Sequence, residues 1–242
     1  MKPDNISLPD WNIIKHKYKN NLDEIISRID EGYPVQYLIG NVQFLNTTIS
    51  VNEGVLIPRF ETELLVSKTI EYIKKTFTNK IDILELGTGS GCIAIALAKN
   101  LDCNVTAFDI SDEAIKLAKK NSINNSVVIN IKKQDMLEKL NQNYDVIIAN
   151  PPYISLDGYV DENVLKYEPH LALFAKDRGL YFYKEIFKKH LNNLNKPGIM
   201  ALEIGDNQME NLKKMLINYP DYKYSFEYDL TGRVRYLFIF NE

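Results

Sequence analysis

An α/β fold with a doubly wound, mostly parallel sheet is the fold class that the sequence predicts. From residue 81 onward, short apolar runs alternate with runs of helical spacing, which is the pattern of repeated strand–helix units. A glycine-rich turn follows the first apolar run, at the end of the strand where such sheets bind ligands. The last two apolar runs have no helix between them, so we expect them to pair antiparallel at one edge.

The composition excludes several classes of protein. The 242-residue chain has 29 Lys and Arg against 32 Asp and Glu, a net charge of −3. A basic excess is usual in proteins that hold nucleic acid, so we expect no direct nucleic-acid binding. The sequence has neither a long apolar run nor a signal-like start, which predicts no membrane association. Two cysteines at no ligand spacing favour a reducing cytoplasm, and the scattered histidines predict no metal site.

Three segments are predicted along the chain: a short helical segment at 1–32, a linker region at 33–60 and the main α/β domain at 61–242. A helix starts near Ser7, and its apolar positions continue at helical spacing until Gly32. In the linker, we expect a β-hairpin that pairs residues 44–51 with residues 55–57 around a turn at 52–54, which ends in glycine.

The main domain is predicted to begin with a helix at 61–77. The expected strands are 81–85, 105–108, 127–131, 144–149, 199–204, 222–228 and 234–240. The expected helices are 93–99, 111–121 with Ser111 as its N-cap, 180–194 and 207–217.

The first strand–helix turn reads ELGTGSG at residues 85–91. Glycines in such a turn let a ligand approach the backbone and its N–H groups closely. The spacing does not match a dinucleotide loop, and no Gly-Lys-Ser/Thr follows, as a phosphate-binding P-loop requires. It resembles the E-x-G-x-G-x-G loop of S-adenosylmethionine-dependent methyltransferases, so we expect cofactor contacts there. The expected contacts are Gly87, Thr88, Gly89, Ser90 and Gly91.

Acidic residues follow the next two strands. Asp109 ends the second strand, where its carboxylate can accept hydrogen bonds from both ribose hydroxyls of a cofactor. Asp135 and Met136 follow the third strand and are expected to line an adenine pocket. For Asp135, the alternative is an ordinary turn-forming role.

The fourth strand ends in the loop Asn150-Pro151-Pro152-Tyr153. The prolines stiffen the loop and leave carbonyl groups unpaired, which suits a site that accepts hydrogen bonds from an NH2 group. We expect the Asn150 side-chain oxygen and the Pro151 carbonyl to orient such a nitrogen, while Tyr153 stacks on the planar group that carries it. Orientation of this kind accounts for about 7–11 kcal/mol in favourable cases. The alternative is a bend that only lets the chain leave the strand.

The glycine loop and the Asn-Pro-Pro-Tyr loop together resemble the amino-group methyltransferases that act on planar nitrogens. Further segments resemble the release factor glutamine methyltransferase family over about residues 33–240. These segments are YPVQYLIG at 33–40, VLIPRFETE at 55–63, EPHLAL at 168–173, LEIG at 202–205 and DLTGR at 229–233. The run RFETE at 59–63 favours release factors over the sibling family that acts on a ribosomal protein.

The resemblance implies a seven-stranded sheet and methyl transfer from S-adenosylmethionine to the glutamine of the Gly-Gly-Gln motif in class I peptide chain release factors. It implies that residues 87–91, Asp109 and Asn150 bind the cofactor and that residues 150–153 hold the glutamine. Arg59, Glu61 and Glu63 could order the substrate pocket or cap the next helix, and for the two glutamates capping is favoured slightly. The chain departs from the family in its short leading segment and in Phe60, where relatives usually have proline.

Two other functions are compatible with these motifs. An adenine-N6 methyltransferase of DNA or RNA shares the Asn-Pro-Pro-Tyr loop, but the net charge of −3 and the lack of a spare base-reading domain count against it. A non-catalytic scaffold with the same fold would not need to keep Asp109, Asn150 and Tyr153.

Overall fold

The computed structural model describes Pro3 and residues 6–242; residues 1, 2, 4 and 5 of the predicted leading segment lie outside the described part. The helices of this part are α1 (Leu8–Lys17), α2 (Leu22–Asp30), α3 (Val35–Ile39), α4 (Phe60–Thr76), α5 (Cys92–Asn100), α6 (Asp112–Asn124), α7 (Glu162–Tyr167), α8 (Tyr181–His190) and α9 (Met209–Leu216). The strands are β1 (Asn41–Phe44), β2 (Thr47–Ser50), β3 (Ile81–Leu86), β4 (Cys103–Asp109), β5 (Asn130–Lys133), β6 (Tyr144–Ala149), β7 (Ile154–Ser155), β8 (Phe174–Ala175), β9 (Leu194–Glu203), β10 (Lys223–Tyr228) and β11 (Val234–Asn241).

Seven strands form the central sheet in the order β10-β11-β9-β6-β3-β4-β5. Strands β5, β4, β3, β6 and β9 run parallel, and β11 pairs antiparallel with both β9 and β10. The predicted sheet and its antiparallel edge are therefore confirmed. The chain winds from β3 outward to β5 and then returns to β6 on the other side of β3. This change of direction opens a crevice at the carboxyl ends of β3 and β6.

Each face of the sheet packs against its own layer of helices. In β6, Val146 and Ile148 belong to the apolar cluster that includes residues of α4 and α5, whereas Ile147 and Ala149 belong to the cluster on the opposite face with α8 and α9. Side chains alternate between the two faces of a strand, and a strand covered on both faces must be apolar throughout. This explains the apolar run at residues 146–149 of β6 and confirms the doubly wound arrangement.

The leading segment forms two helices instead of the single helix predicted. Ser7 caps α1 as expected, accepting a hydrogen bond from the backbone of Asp10 at 3.2 Å. The chain then leaves the helix, and the Tyr18 hydroxyl donates to the carbonyl oxygen of Leu38 at 3.0 Å. The helical spacing continued across this break because both helices bury their apolar residues in one small core. These residues are Trp11, Ile14, Ile25 and Ile29.

The predicted register of the hairpin is wrong. Strand β1 pairs with β2, with Phe44 opposite Thr47, so the turn lies at residues 45–46 and not at 52–54. Leu45 occupies this turn with φ +48°, a conformation that L-residues other than Asn and Asp rarely adopt, and its apolar side chain carries no turn signal. Gly54 does form a turn, but Val55 and Ile57 are buried in apolar clusters without pairing as a strand.

Buried Asn121 on α6 connects the hairpin to the glycine loop. Its Oδ1 accepts from the backbone N–H of Ser50, and its Nδ2 donates to the carbonyl oxygens of Ser50 and Ser90, all at 2.9 Å. A fully buried amide with this many partners fixes the hairpin relative to the turn that it overlies. In the described part of the chain, no helix is long and apolar enough to cross a membrane.

Replacing Asn121 with alanine is expected to lower the free energy of unfolding by about 1–3 kcal/mol, because buried backbone groups of Ser50 and Ser90 lose their partner. Urea denaturation followed by circular dichroism measures this change. The control is Asn124→Ala on the exposed side of the same helix, expected to stay within about 0.5 kcal/mol of the wild type. Equal stability of the two variants would contradict a structural role for Asn121.

Candidate active site

A cavity of about 340 Å³ opens at the carboxyl ends of β3, β4 and β6. Ten of the residues predicted from the sequence line it: Arg59, Gly87, Thr88, Gly89, Ser90, Asp109, Asp135, Met136, Asn150 and Pro152. Three other predicted residues, Gly91, Pro151 and Tyr153, lie beside it without being among the lining residues. The cavity thus brings together loops that are far apart in the sequence.

The glycine loop bends sharply after β3. Gly87, Gly89 and Gly91 have φ of +76°, +53° and +84°, which glycine adopts at little cost. A Cβ atom on Gly87 would lie 2.8 Å from the Cε of Met136, so the flexible end of that side chain would have to shift. The loop therefore requires glycine for its backbone conformation.

Asp109 connects the end of β4 to the glycine loop. Its Oδ2 accepts from the backbone N–H of Gly89 at 2.8 Å, and its Oδ1 accepts from that of Ser111 at 2.9 Å. Two backbone donors hold the carboxylate in one orientation. Each carboxylate oxygen has a second lone-pair direction, so the group can accept further hydrogen bonds from a ligand in the cavity.

Glu85, at the end of β3, is buried beneath the glycine loop. Its Oε2 accepts from the Thr88 hydroxyl at 2.6 Å and from the Ala94 backbone at 3.1 Å. Burial raises the pKa of this carboxyl to about 8, and the nearby Asp109 carboxylate adds to the increase. Among the described residues, none forms a hydrogen bond with Glu85 Oε1, although this atom is buried. A cationic group in the cavity would stabilise the ionised carboxylate.

The loop after β5 is fixed by helix α8. The Oδ1 of Asp135 accepts from the Leu137 backbone at 2.8 Å, which is the turn-forming contact that the sequence left as an alternative. His190 Nε2 lies 2.7 Å from the Met136 carbonyl oxygen, and burial lowers the pKa of this imidazole. A neutral His190 donating to that carbonyl holds Met136 against the cavity. No local pattern indicates this contact, because His190 lies 54 positions further along the chain.

The side chain of Asn150 is oriented by a hydrogen bond that its NH2 group donates. Its Nδ2 donates to the hydroxyl of Thr62 on α4 at 3.0 Å, and that hydroxyl donates to Oε2 of buried Glu203 at 2.7 Å. Within Pro3 and residues 6–242, no donor contacts the Asn150 Oδ1, and Asn150 lines the cavity. The amide oxygen is therefore the group that Asn150 offers to a ligand. Thr62 and Glu203 were absent from the sequence-based set of site residues.

Tyr153 is held by hydrogen bonds at its backbone carbonyl and at its side-chain hydroxyl. Its backbone carbonyl accepts from the Gln208 side chain at 3.0 Å, and its hydroxyl donates to Glu203 Oε1 at 3.3 Å. A Cβ on Gly205 would lie 3.0 Å from the ring, so Gly205 leaves the space that the ring fills. Burial raises the pKa of Tyr153 well above its usual value, which keeps the hydroxyl protonated. Pro151 is buried beside it.

Arg59 forms an ion pair with buried Glu168. The other oxygen of Glu168 accepts from the backbone N–H of Ile57 at 3.1 Å. These contacts fix the segment before α4 against the residue that follows α7, while Arg59 lines the cavity. Glu61 and Glu63 lie in the first turn of α4, where the helix dipole stabilises negatively charged side chains. Phe60 is exposed at the start of the helix.

No group of three or more His, Cys, Asp or Glu side chains in the described residues could hold a metal ion. The arrangement instead combines hydrogen-bond acceptors with an apolar, partly enclosed space. It can hold an elongated polar ligand along Asp109 and the glycine loop, and a second group at Asn150. Such a pair of adjacent subsites suits the transfer of a group between two bound molecules.

Comparisons with known proteins agree on one type of domain. The family model described as "Methyltransferase small domain" matches residues 61–166. The release factor glutamine methyltransferase of Flavobacterium psychrophilum is 39% identical, over 97% of this chain and 81% of its own length. That of Streptococcus pneumoniae is 42% identical, over 78% of this chain and 68% of its own length. A solved methyltransferase from Pyrococcus furiosus has the same fold, with a TM-score of 0.60 and 18% identity over 93% of this chain and 98% of that one.

Proposed function

Because the chain belongs to the release factor glutamine methyltransferase family, we propose that it methylates the side-chain amide nitrogen of a glutamine in class I peptide chain release factors. The methyl donor is S-adenosylmethionine, the product is S-adenosylhomocysteine, and the target is the glutamine of the Gly-Gly-Gln motif. One observation carries the proposal at the level of the site: the Asn150 amide lines the cavity with its oxygen available and its nitrogen already bonded to Thr62.

The residues of the cavity fit S-adenosylmethionine. The buried, unpartnered Glu85 Oε1 offers an acceptor to a cationic donor, and S-adenosylmethionine carries an ammonium group and a sulfonium. Asp109 lines the cavity and offers carboxylate oxygens to ribose hydroxyls. Asp135 and Met136 are proposed to line the adenine pocket. When bound, the cofactor supplies an electrophilic methyl group.

The chain's own residues prepare the acceptor. An amide nitrogen is a weak nucleophile, since its lone pair is delocalised into the carbonyl group. In our proposal, the Asn150 Oδ1 accepts one N–H of the glutamine amide and the Pro151 carbonyl accepts the other. Both bonds orient the nitrogen and favour the pyramidal form that develops in the transition state. Pro152 stiffens the loop, Tyr153 supports the planar amide, and Arg59 contributes to the substrate side of the cavity.

The remaining assignments follow from this function. Residues 61–242 are proposed to form the methyl-transferring domain, preceded along the chain by segments 1–32 and 33–60. Val55 and Arg59 of the second segment also line the cavity, so this segment contributes to the site. The protein partner is the release factor, with no membrane or direct nucleic-acid role. Both cysteines are free, in keeping with the cytoplasmic location proposed from the sequence.

Isothermal titration calorimetry combined with peptide mapping tests the proposal. We expect S-adenosylmethionine to bind, and mass spectrometry of a treated release factor to find one added methyl group on the Gly-Gly-Gln glutamine. Binding without methylation of that residue would contradict the assigned acceptor. Absence of binding would favour the non-catalytic scaffold. The adenine alternative is not favoured, because the relatives reported above are named for a release factor glutamine.

A further inference from the structure

From the wall of the cavity, where Asn150 and Thr62 both lie, a continuous series of hydrogen bonds runs to Glu203 in the interior of the protein. The Asn150 Nδ2 lies 3.0 Å from the Thr62 Oγ1, and this hydroxyl lies 2.7 Å from the Glu203 Oε2. Thr62 and Glu203 are 3% and 1% exposed, respectively, so water does not compete effectively for these contacts. The second carboxylate oxygen of Glu203 accepts from the hydroxyl of Tyr153, in the same loop as Asn150.

The chemistry of these groups determines which of them donates and which accepts each hydrogen bond. An ionised carboxylate can only accept hydrogen bonds, so Glu203 obliges Thr62 to donate its single hydroxyl proton to it. The Thr62 oxygen then has only lone pairs left for Asn150. Of the two ends of the Asn150 amide, only the NH2 group can donate to those lone pairs. The carbonyl end is consequently turned toward the cavity.

We propose that Thr62 and Glu203 are positioning residues that keep the Asn150 amide oxygen, and not its NH2 group, facing the substrate. The opposite orientation would present a donor to the N–H groups of the acceptor amide and would bind it poorly. This inference rests on the proposed function only for the identity of that acceptor. The orientation of Asn150 itself is a property of the free protein.

The protonation state of Glu203 gives the network a pH dependence. Burial raises the pKa of this carboxyl to about 7, although hydrogen bonds from Thr62 and Tyr153 and the charge of Arg235 act in the opposite direction. Other titratable groups that interact electrostatically with Glu203 come from α4, α5, α8 and β11: Glu61, Cys92, Tyr183 and Tyr236. Above pH 7 the carboxylate is ionised, so Thr62 must donate to Glu203 and accept from Asn150. As the pH falls through 7, Glu203 gains a proton that it can donate to Thr62. The Thr62 hydroxyl is then free to donate to Asn150, and the orientation of the Asn150 amide is no longer determined.

The experiment compares three threonine variants on the same helix. Thr62→Val removes the hydroxyl but keeps the shape, and is expected to lower kcat roughly 5- to 30-fold, because Asn150 loses the partner that orients it. Thr62→Ser keeps the hydroxyl and should retain kcat within about 3-fold of the wild type. The matched control is Thr69→Val, whose buried hydroxyl donates only to the Leu65 carbonyl, and which should leave kcat unchanged.

A second readout needs no substrate. Nuclear magnetic resonance of the ¹⁵N-labelled Asn150 side chain follows its NH2 group in the free protein. We expect its chemical shift to change with pH with a midpoint near 7 in the wild type, and this change to disappear in Thr62→Val and in Glu203→Gln. The same midpoint should appear in the pH profile of kcat for the wild type and be lost in Glu203→Gln.

The outcomes separate this inference from the proposed function. Wild-type kcat in Thr62→Val, equal losses in Thr62→Val and Thr62→Ser, or an unchanged pH response in Glu203→Gln would overturn the positioning role. If the release factor is not methylated while the Asn150 resonance still depends on Thr62 and Glu203, the proposed acceptor is wrong and the network stands. If methylation occurs but the pH dependence of the Asn150 resonance is the same in Thr62→Val, Glu203→Gln and the wild type, the network is wrong and the function stands.

Discussion

Asn150→Ala is expected to lower kcat for the release factor by about 5- to 150-fold, the effect of losing a hydrogen bond worth about 1–3 kcal/mol in the transition state. The amide oxygen of Asn150 is proposed to orient the attacking nitrogen, so its loss acts on the reacting group. Affinity for S-adenosylmethionine should remain within a few-fold of the wild type, because Asp109 and the glycine loop are not changed.

Steady-state kinetics of release-factor methylation and calorimetry with S-adenosylmethionine measure the two effects separately. Asn124→Ala, an exposed asparagine on α6, is the matched control and should behave as the wild type in both assays. If Asn150→Ala retains a kcat close to that of the wild type, Asn150 does not have the role assigned to it.

Asp109→Ala is expected to act on the cofactor instead, raising the Kd for S-adenosylmethionine about 10- to 150-fold. A hydrogen bond to a charged group is worth about 1.5–3 kcal/mol, and the Asp109 carboxylate is held in place by the backbone of Gly89 and Ser111. Removing it takes away the proposed acceptor of the ribose hydroxyls and frees the Gly89 N–H that it binds.

Calorimetry with S-adenosylmethionine measures the change, and circular dichroism verifies that the variant is folded. Asp112→Ala is the control: its side chain is 80% exposed and forms a surface ion pair with Lys133, so the Kd should not change. A folded Asp109→Ala variant that binds the cofactor as tightly as the wild type would remove Asp109 from the proposed ribose site.

The parts of the fold that sequence reasoning predicted well are those in which local pattern and tertiary role coincide. Strand β6 spans residues 144–149 as predicted, because its buried residues 146–149 form the apolar run expected of a strand that is covered on both faces. Ser111 caps α6 because its hydroxyl accepts from Ala114, a contact within one turn. Each of these two signals is local, since the residues that carry it lie within a few positions of one another in the sequence.

The errors arose where distant contacts decide the local structure. The hairpin turn uses Leu45 at positive φ, which no local propensity would indicate. The break after α1 was hidden because α1 and α2 face the same core. Thr62 and Glu203 escaped notice in the site because they are 141 positions apart and meet only when α4 packs beside β9. Motif residues can be found from spacing, whereas the residues that orient them depend on the folded chain.

The most direct test of the central claim is methyl transfer from labelled S-adenosylmethionine to three acceptors in parallel. These acceptors are a purified class I release factor, the same factor with the glutamine of its Gly-Gly-Gln motif changed to alanine, and duplex DNA. The proposed function predicts label on the intact factor alone. Label on DNA, or equal label on the intact and altered factors, would contradict it.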